Sequence, residues 1–337
     1  LGCSKSDRTD FISDREGVSN YRLGISIPTH LPFMKIATNY VKLALVCLAF
    51  IPAMAIAQNT KAPKLKVLII DGQNNHNWKS TTPVLKEALD SCGVFVATVS
   101  TSPPKKSAPE AWAKWQPKFS DYDAVLSNYN GEMWPDAVRK SFVDYVHNGG
   151  AFVCVHAANN SFGKWKEYNQ IIGVGGWGGR KLVGDGVWLH AVDGKIVRDT
   201  TTKGGSGGHG ARHEFIIEHI DQNHPITKGL PSKWLHTKDE LYCKLCGPAE
   251  HVEVQATAVS KLTKRNEPMV MTVKFGEGRI FHTPLGHDAE AMRCRGFYEL
   301  LQRGTEWAIS GKVIHTAEVP ADFPTMDKAS PVPAAKE

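Results

Sequence analysis

Lys66-Val-Leu-Ile-Ile70-Asp71-Gly72 decides the fold. After the lysine come four apolar residues with no polar interruption. A strand with one wet face alternates apolar and polar side chains. An unbroken run of this length reads as a central parallel strand covered on both faces. Asp71 to Trp78 then forms a polar loop. Thr81 or Thr82 can cap a helix that has Pro83 at its first position, runs to about Ser91 and stops at Gly93. Val94 to Val99 is the next strand, and Thr101 to Pro109 a proline- and lysine-rich loop. Asp123 to Ser127 is a third strand. Pro135 to Asn148 is a helix with Val138, Phe142, Tyr145 and Val146 on one face and Gly149-Gly150 as its stop. Ala151-Phe-Val-Cys-Val155 is a fourth strand and leads directly into His156. Strands alternating with helices in this way predict an α/β fold with a doubly wound, mostly parallel sheet.

The second half reads differently. Residues 160 to 212 are dense in glycine, including Gly204-Gly-Ser-Gly-Gly-His-Gly210, too dense for regular elements, so an elaborated insertion is expected there. Glu214–Glu218, His251–Val259 and Met269–Phe275 read as strands, and Glu290–Ser310 as a C-terminal helix. Gly276-Glu-Gly278 is a turn into a last strand that delivers His287 and Asp288 onto a loop. The tail, residues 317–337, is proline-rich and expected to be loose.

Of 337 residues, 42% are hydrophobic and 22% charged, an ordinary globular composition. The net charge of +6 is spread thinly, with no lysine/arginine cluster, so nucleic acid is not an expected partner. Residues 1–57 read as an upstream extension and an export signal. Met34-Lys35 opens the signal, Leu43 to Ile51 is its apolar core, and Ala55-Ile-Ala57 precedes a cleavage site at Gln58. The apolar run is too short for an ordinary membrane span, with a single uncleaved anchor as the competing reading. The expected product is therefore secreted or periplasmic, begins near Gln58 with Met34 as initiator, and keeps no stable membrane span. Five cysteines remain beyond residue 57, an odd number that argues against a full disulfide framework. Cys243-Lys-Leu-Cys246 has metal or redox spacing but stands alone. Metal binding, a disulfide and two free thiols all stay open.

Ligand sites of open α/β sheets lie at strand ends, and this chain puts histidines there repeatedly. His76 is on the loop after the first strand, where a plain loop histidine is the competing reading. His156 occupies a strand-to-helix elbow that holds a nucleophile in related folds. Here it can act as a base, a metal ligand, a substrate donor or a structural histidine. Cys154, two residues earlier, should point into the sheet packing, which argues against a cysteine nucleophile. His209, between glycines, reads as backbone held close to a ligand, whereas His213 begins a strand. Asp239-Glu240 is a paired acid between Trp234 and Tyr242. Such pairs are commonly solvated, but Glu240 here can face a pocket as acid/base or metal ligand. His282 lies inside a strand and should be packed, and His287 beyond its end is the better candidate.

Several segments together resemble the ThuA-like (trehalose utilisation) family: His156-Ala-Ala, His224-Pro-Ile-Thr-Lys-Gly-Leu-Pro231, Asp239-Glu-Leu-Tyr242, Pro268-Met-Val, Gly276-Glu-Gly-Arg-Ile-Phe281 and Leu285-Gly-His-Asp288. The resemblance spans residues 64–311. It implies a flavodoxin-like sheet similar to class I glutamine amidotransferases but without their cysteine nucleophile. It also implies a role in disaccharide use through 3-keto sugars. His156, Glu240 and His287 carry over as catalytic residues, with His76 and His209 beside them. The expected metal ligands are His76, His156, His209 and His287, holding a divalent ion of unspecified identity. Trp177 and Trp78, with His209, are the expected sugar-binding residues. A metal-assisted hydrolase, lyase or isomerase of a small carbohydrate is one reading. A non-catalytic sugar- or protein-binding module on the same scaffold is the other.

Overall fold

The computed structural model describes residues 63–334, apart from Val183 and Asp185. The expected export signal and the final residues 335–337 lie outside the described residues.

The first half runs β1 (Leu65–Asp71), α1 (Trp78–Ser91), β2 (Phe95–Thr101), α2 (Pro109–Lys114), β3 (Ala124–Ser127), α3 (Asp136–His147) and β4 (Ala151–Val155). It continues through α4 (Lys166–Ile172), β5 (Val187–Val192), β6 (Lys195–Asp199), β7 (His213–His219), β8 (Lys233–Asp239) and β9 (Cys246–Gly247). The chain closes with β10 (Val252–Val259), β11 (Asn266–Phe275), β12 (Gly278–Thr283), α5 (Ala289–Met292) and α6 (Arg295–Ser310). The sheet order is β2-β1-β3-β4-β12-β11-β10-β7-β8. The strands from β2 to β12 pair in parallel. From β12 to β8 they pair antiparallel.

Helices cover both faces, as the unbroken apolar runs demand. Val67, Ile69, Val153 and Val155 point to one side and pack with residues of α1 and α6. Leu68, Ile70, Phe152 and Cys154 point to the other and pack with α3 and α4. Alternate residues of one strand thus feed two cores. The antiparallel strands curl back around α6: Phe215 and Ile217 of β7 and Trp234 of β8 share the core of α1 and α6. Gly296 makes this possible, since a Cβ there would lie 2.4 Å from the Trp234 ring. The curl brings the end of β8 back towards the rim formed by β1 and β4.

Three local expectations change. Helix α1 begins at Trp78 rather than at Thr81 or Thr82, because Asn77 O accepts from Ser80 N and Thr81 N. Pro83 therefore sits in the second turn, where it removes one backbone bond. The two threonines are buried acceptors for Asn128 Nδ2, at 2.9 and 3.0 Å. The glycine-rich insertion does contain regular elements, α4 and the β5–β6 hairpin, and β5 joins the sheet beside β9 and β11. Glycine counts mislead there because the glycines sit between the elements. The C-terminal helix is two helices, parted at Cys294, which is extended. The tail from Ala317 touches the fold at a few points, while Ala317, Glu318 and Thr325 to Lys328 stay exposed. Phe323 is buried, Leu235 N donates to Thr325 O at 2.8 Å, and Arg295 N donates to Ser330 O at 2.7 Å. Among the described residues no helix is long and apolar enough to cross a membrane.

Candidate functional site

His76, His156, Glu240 and His287 each offer one ligand atom, and those four atoms lie within 4.8 Å of one another. They come from four places in the chain: the loop after β1, the first residue after β4, the first residue after β8 and the loop after β12. His156 has φ +46°, a left-handed backbone that a residue with a Cβ rarely adopts. This tight elbow turns its ring out over the sheet edge, so the position expected for a nucleophile holds an imidazole. Cys154 is fully buried in the α3–α4 core and burial pushes its thiol up, which leaves no thiolate.

The ring nitrogens are sorted by their partners. His156 Nδ1 lies 2.7 Å from Pro284 O, which can only accept, so Nδ1 carries the proton and Nε2 the lone pair. That Nε2 is buried and makes no hydrogen bond. It is 3.7 Å from Glu240 Oε2, which is also buried without a hydrogen bond. His287 Nδ1 lies 3.0 Å from the same oxygen, at an angle that makes no hydrogen bond either. His76 completes the group, its ring 4.8 Å from that of His156 and 4.5 Å from that of His287. Burial, then the neighbouring His287 and His209, lowers His76 to about 4. Burial lowers His156 to about 3. Both rings are neutral at pH 7 and keep their lone pairs.

Three orphaned polar atoms facing one small volume fit a divalent cation. An unpaired buried polar group costs about 1–3 kcal/mol, and coordination would remove that cost at all three atoms. Zinc–ligand bonds of ~2.0–2.2 Å set ligand atoms roughly 3.3–3.6 Å apart, so shifts on the order of 1 Å would close the group. Imidazole-rich sites suit zinc and its transition-metal neighbours better than magnesium or calcium. The backbone acceptor on His156 Nδ1 is the orienting contact that ligating histidines ordinarily have.

Asp239, fully buried, organises two of the four residues. Its Oδ1 accepts from Glu240 N at 2.8 Å and His287 N at 2.9 Å. Its Oδ2 accepts from Gly286 N at 2.7 Å and lies 2.9 Å from His236 Nε2. Tyr242 stacks on His156 at 4.2 Å, and its hydroxyl is 3.2 Å from His76 Nε2. Asn160 Nδ2 donates to that hydroxyl at 3.4 Å. Neither the Asp239 role nor Tyr242 was expected from sequence. The aromatic flanks of Asp239-Glu240 were the available signal.

The group that the fold brings together differs from the expected metal set at one member. His209 stands outside the four, with its side chain 40% exposed and Nδ1 3.6 Å from Glu240 Oε1. Glu240 takes the fourth place, because the glycine-rich loop holds His209 at the open side of the carboxylate. Trp177 lies beside it, 4.8 Å from Tyr242 and 6.0 Å from His209. Trp78 makes no ring contact with the histidines and lines a separate cavity. Cys243 and Cys246 are both free thiols.

The fold and the site describe an amidotransferase-like α/β protein whose elbow carries imidazole in place of a thiol. The sequence profile of the ThuA family, described as trehalose utilisation, matches residues 66–308, and this chain belongs to that family. A ThuA-like protein from Parabacteroides merdae is 43% identical, with a TM-score of 0.76, covering 80% of this chain and 98% of its own. A ThuA-like protein from Bacteroides uniformis, 20% identical with a TM-score of 0.53, covers 76% of this chain and 96% of its own, and shares the fold. A search of curated proteins finds no match.

Proposed function

We propose that this chain is an enzyme acting on a small carbohydrate, a disaccharide or its 3-keto derivative, at a divalent-metal site formed by His76, His156, Glu240 and His287. The observation that carries this reading is the convergence of three buried, unpaired ligand atoms, His156 Nε2, Glu240 Oε2 and His287 Nδ1. A bound divalent ion would supply polarisation of a carbonyl or hydroxyl oxygen. His209 is the proton carrier. Its Nδ1 lies 2.8 Å from Gly210 O, which fixes the ring hydrogen there and leaves Nε2 able to accept a proton. Glu240 Oε1, facing His209 Nδ1, would stabilise the imidazolium that forms. Trp177 borders His209 and could offer an apolar face to a sugar ring. Asp239 and Tyr242 fix the ligands and exclude water from their inner side.

The experiment is turnover of a panel of disaccharides and 3-keto disaccharides by the protein as purified, after chelation, and after readdition of Zn²⁺ or Mn²⁺. Loss of turnover on chelation and its return with metal are expected, with at least a hundredfold loss in His209→Ala. Turnover that survives both chelation and His156→Ala would contradict the reading. Stabilisation by sugars without any turnover would favour the binding module instead, which the absence of a nucleophilic cysteine at the elbow also allows.

A further inference from the structure

A second polar cavity opens on the same rim as the histidine–glutamate group. It has a volume of about 690 Å³ and is built by the loops that follow β1, β2 and β3. Gln73, Asn75, Trp78, Lys79, Asn130 and Glu132 supply most of its functional side chains. Its place in the topology is specific. From β1 the chain passes outward to β2 and then returns to β3 on the other side of β1. The connections that leave β1 and β3 therefore run in opposite directions across the sheet, and such switch points are where open α/β sheets hold ligands. The volume is in the range of small-molecule sites.

The wall is pre-formed. A Cβ on Gly131 would lie 2.4 Å from Gln73 Cβ, and a Cβ on Gly72, at φ +113°, would lie 2.5 Å from Ser102 Oγ. These close approaches lock the three loops together. Gln73 Oε1 accepts from Glu132 N at 3.0 Å, and the Glu132 carboxylate accepts from Lys106 N at 3.1 Å. The cavity is also joined to the first site. Asn75 Nδ2 is 3.1 Å from His76 Nε2, and Asn75 Oδ1 accepts from Asn130 Nδ2 at 2.6 Å.

The chemistry of the lining selects the occupant. Each amide nitrogen carries two hydrogens, so Asn130 keeps one N–H beyond its bond to Asn75, and Asn75 keeps at least one. The Glu132 carboxylate keeps lone pairs, and Lys79 adds an ammonium, 5.7 Å from the Trp78 ring centre. Donors, acceptors and one indole in a single cavity match a ring that is hydroxylated at its edge and apolar on its face. A phosphate fits less well. The Glu132 carboxylate would repel it, and Trp78 N and Ser80 N in the first turn of α1 already donate to His76 O and Asn77 O.

We infer that this cavity is a glycosyl subsite, holding the second ring of a disaccharide or glycoside whose first ring sits at the histidine–glutamate group. The inference rests on the carbohydrate reading above. The chain then selects two-ring substrates over single sugars, and Asn75, touching both His76 and the cavity, lies where the two rings meet.

The test is calorimetric titration of the Zn²⁺-loaded full chain with trehalose and with glucose. Wild-type protein should bind trehalose at least tenfold more tightly than glucose. That ratio should fall below threefold in Trp78→Ala and in Asn130→Ala, variants in two different loops, so that a folding defect in one does not mask the result in the other. Equal affinity for the two sugars in wild type, or an unchanged ratio in both variants, overturns the subsite while leaving the metal-site reading in place. Metal binding with no binding of either sugar overturns the carbohydrate reading and the subsite together.

Discussion

Asp239 is not one of the four converging residues, yet two of them, Glu240 and His287, hang from it. One carboxylate oxygen holds the backbone of Glu240 and of His287 at once. Asp239→Asn keeps the shape but replaces one acceptor oxygen with an N–H. An N–H facing either Gly286 N or the Glu240 and His287 amides would repel them. Outer contacts of this kind are worth about 10–100-fold in metal affinity. We expect Asp239→Asn to weaken Zn²⁺ binding by that factor while the protein remains folded at 25 °C. A lowered melting temperature with unchanged Zn²⁺ affinity would make Asp239 a merely structural residue. At this scale the sequence was only partly legible. His156 could be picked out because it follows an apolar strand without a spacer. Glu240 could be singled out of its acid pair as the one facing a pocket, but the backbone-binding role of Asp239 could not, since nothing local shows which distant amides a carboxylate at a strand end will reach.

Strand burial explains other histidines. His219 ends β7 and His282 lies within β12. Burial, then Arg303, lowers His219 to about 4. Burial lowers His282 to about 4, partly opposed by the carbonyl of Ile172, and Arg180 lowers it further. Both are neutral when folded and protonate near pH 6.5 once unfolded. Below that pH the unfolded chain binds the extra protons, so these two histidines withdraw stability as pH drops from about 6.5 towards 4, against Glu267 and Glu299, which burial pushes up to about 7 and which act in the opposite sense. Each such histidine withdraws up to ~1.4 kcal/mol per pH unit. From pH 7 to 6 and 5, the denaturant midpoint of the metal-free protein should therefore lose less, or gain more, in His282→Asn than in wild type. A pH profile of the midpoint that is the same in His282→Asn as in wild type would contradict the assignment. Elements whose side chains alternate cleanly between two cores, such as β1 and β4, were readable from hydrophobic runs. The β5–β6 hairpin was not. Its strands are short, β6 is largely exposed, and its neighbours are glycines, so it carries little apolar periodicity.

For the whole molecule, the sheet changes from parallel to antiparallel at β12, and this divides what could be read from what could not. The parallel half is dictated by local signals: apolar runs, helix stops at Gly93 and Gly149, and an elbow at His156. The antiparallel half depends on a non-local event, the curl of β7 and β8 around α6, made possible by Gly296 beneath Trp234. No pattern within a single segment encodes that curl, and without it Glu240 would not reach the histidines of β1 and β4. The gathering of His76, His156, Glu240 and His287 is thus a property of the complete fold, and everything proposed for the site depends on it.

The most direct measurement is the stoichiometry and affinity of divalent-metal binding to the chelator-treated protein, followed by calorimetry with Zn²⁺ and by elemental analysis after dialysis. One ion per chain is expected in wild type, with at least a hundredfold weaker binding in His156→Ala and in Glu240→Gln. A wild-type protein that retains no ion, or variants that bind as tightly as wild type, would contradict it.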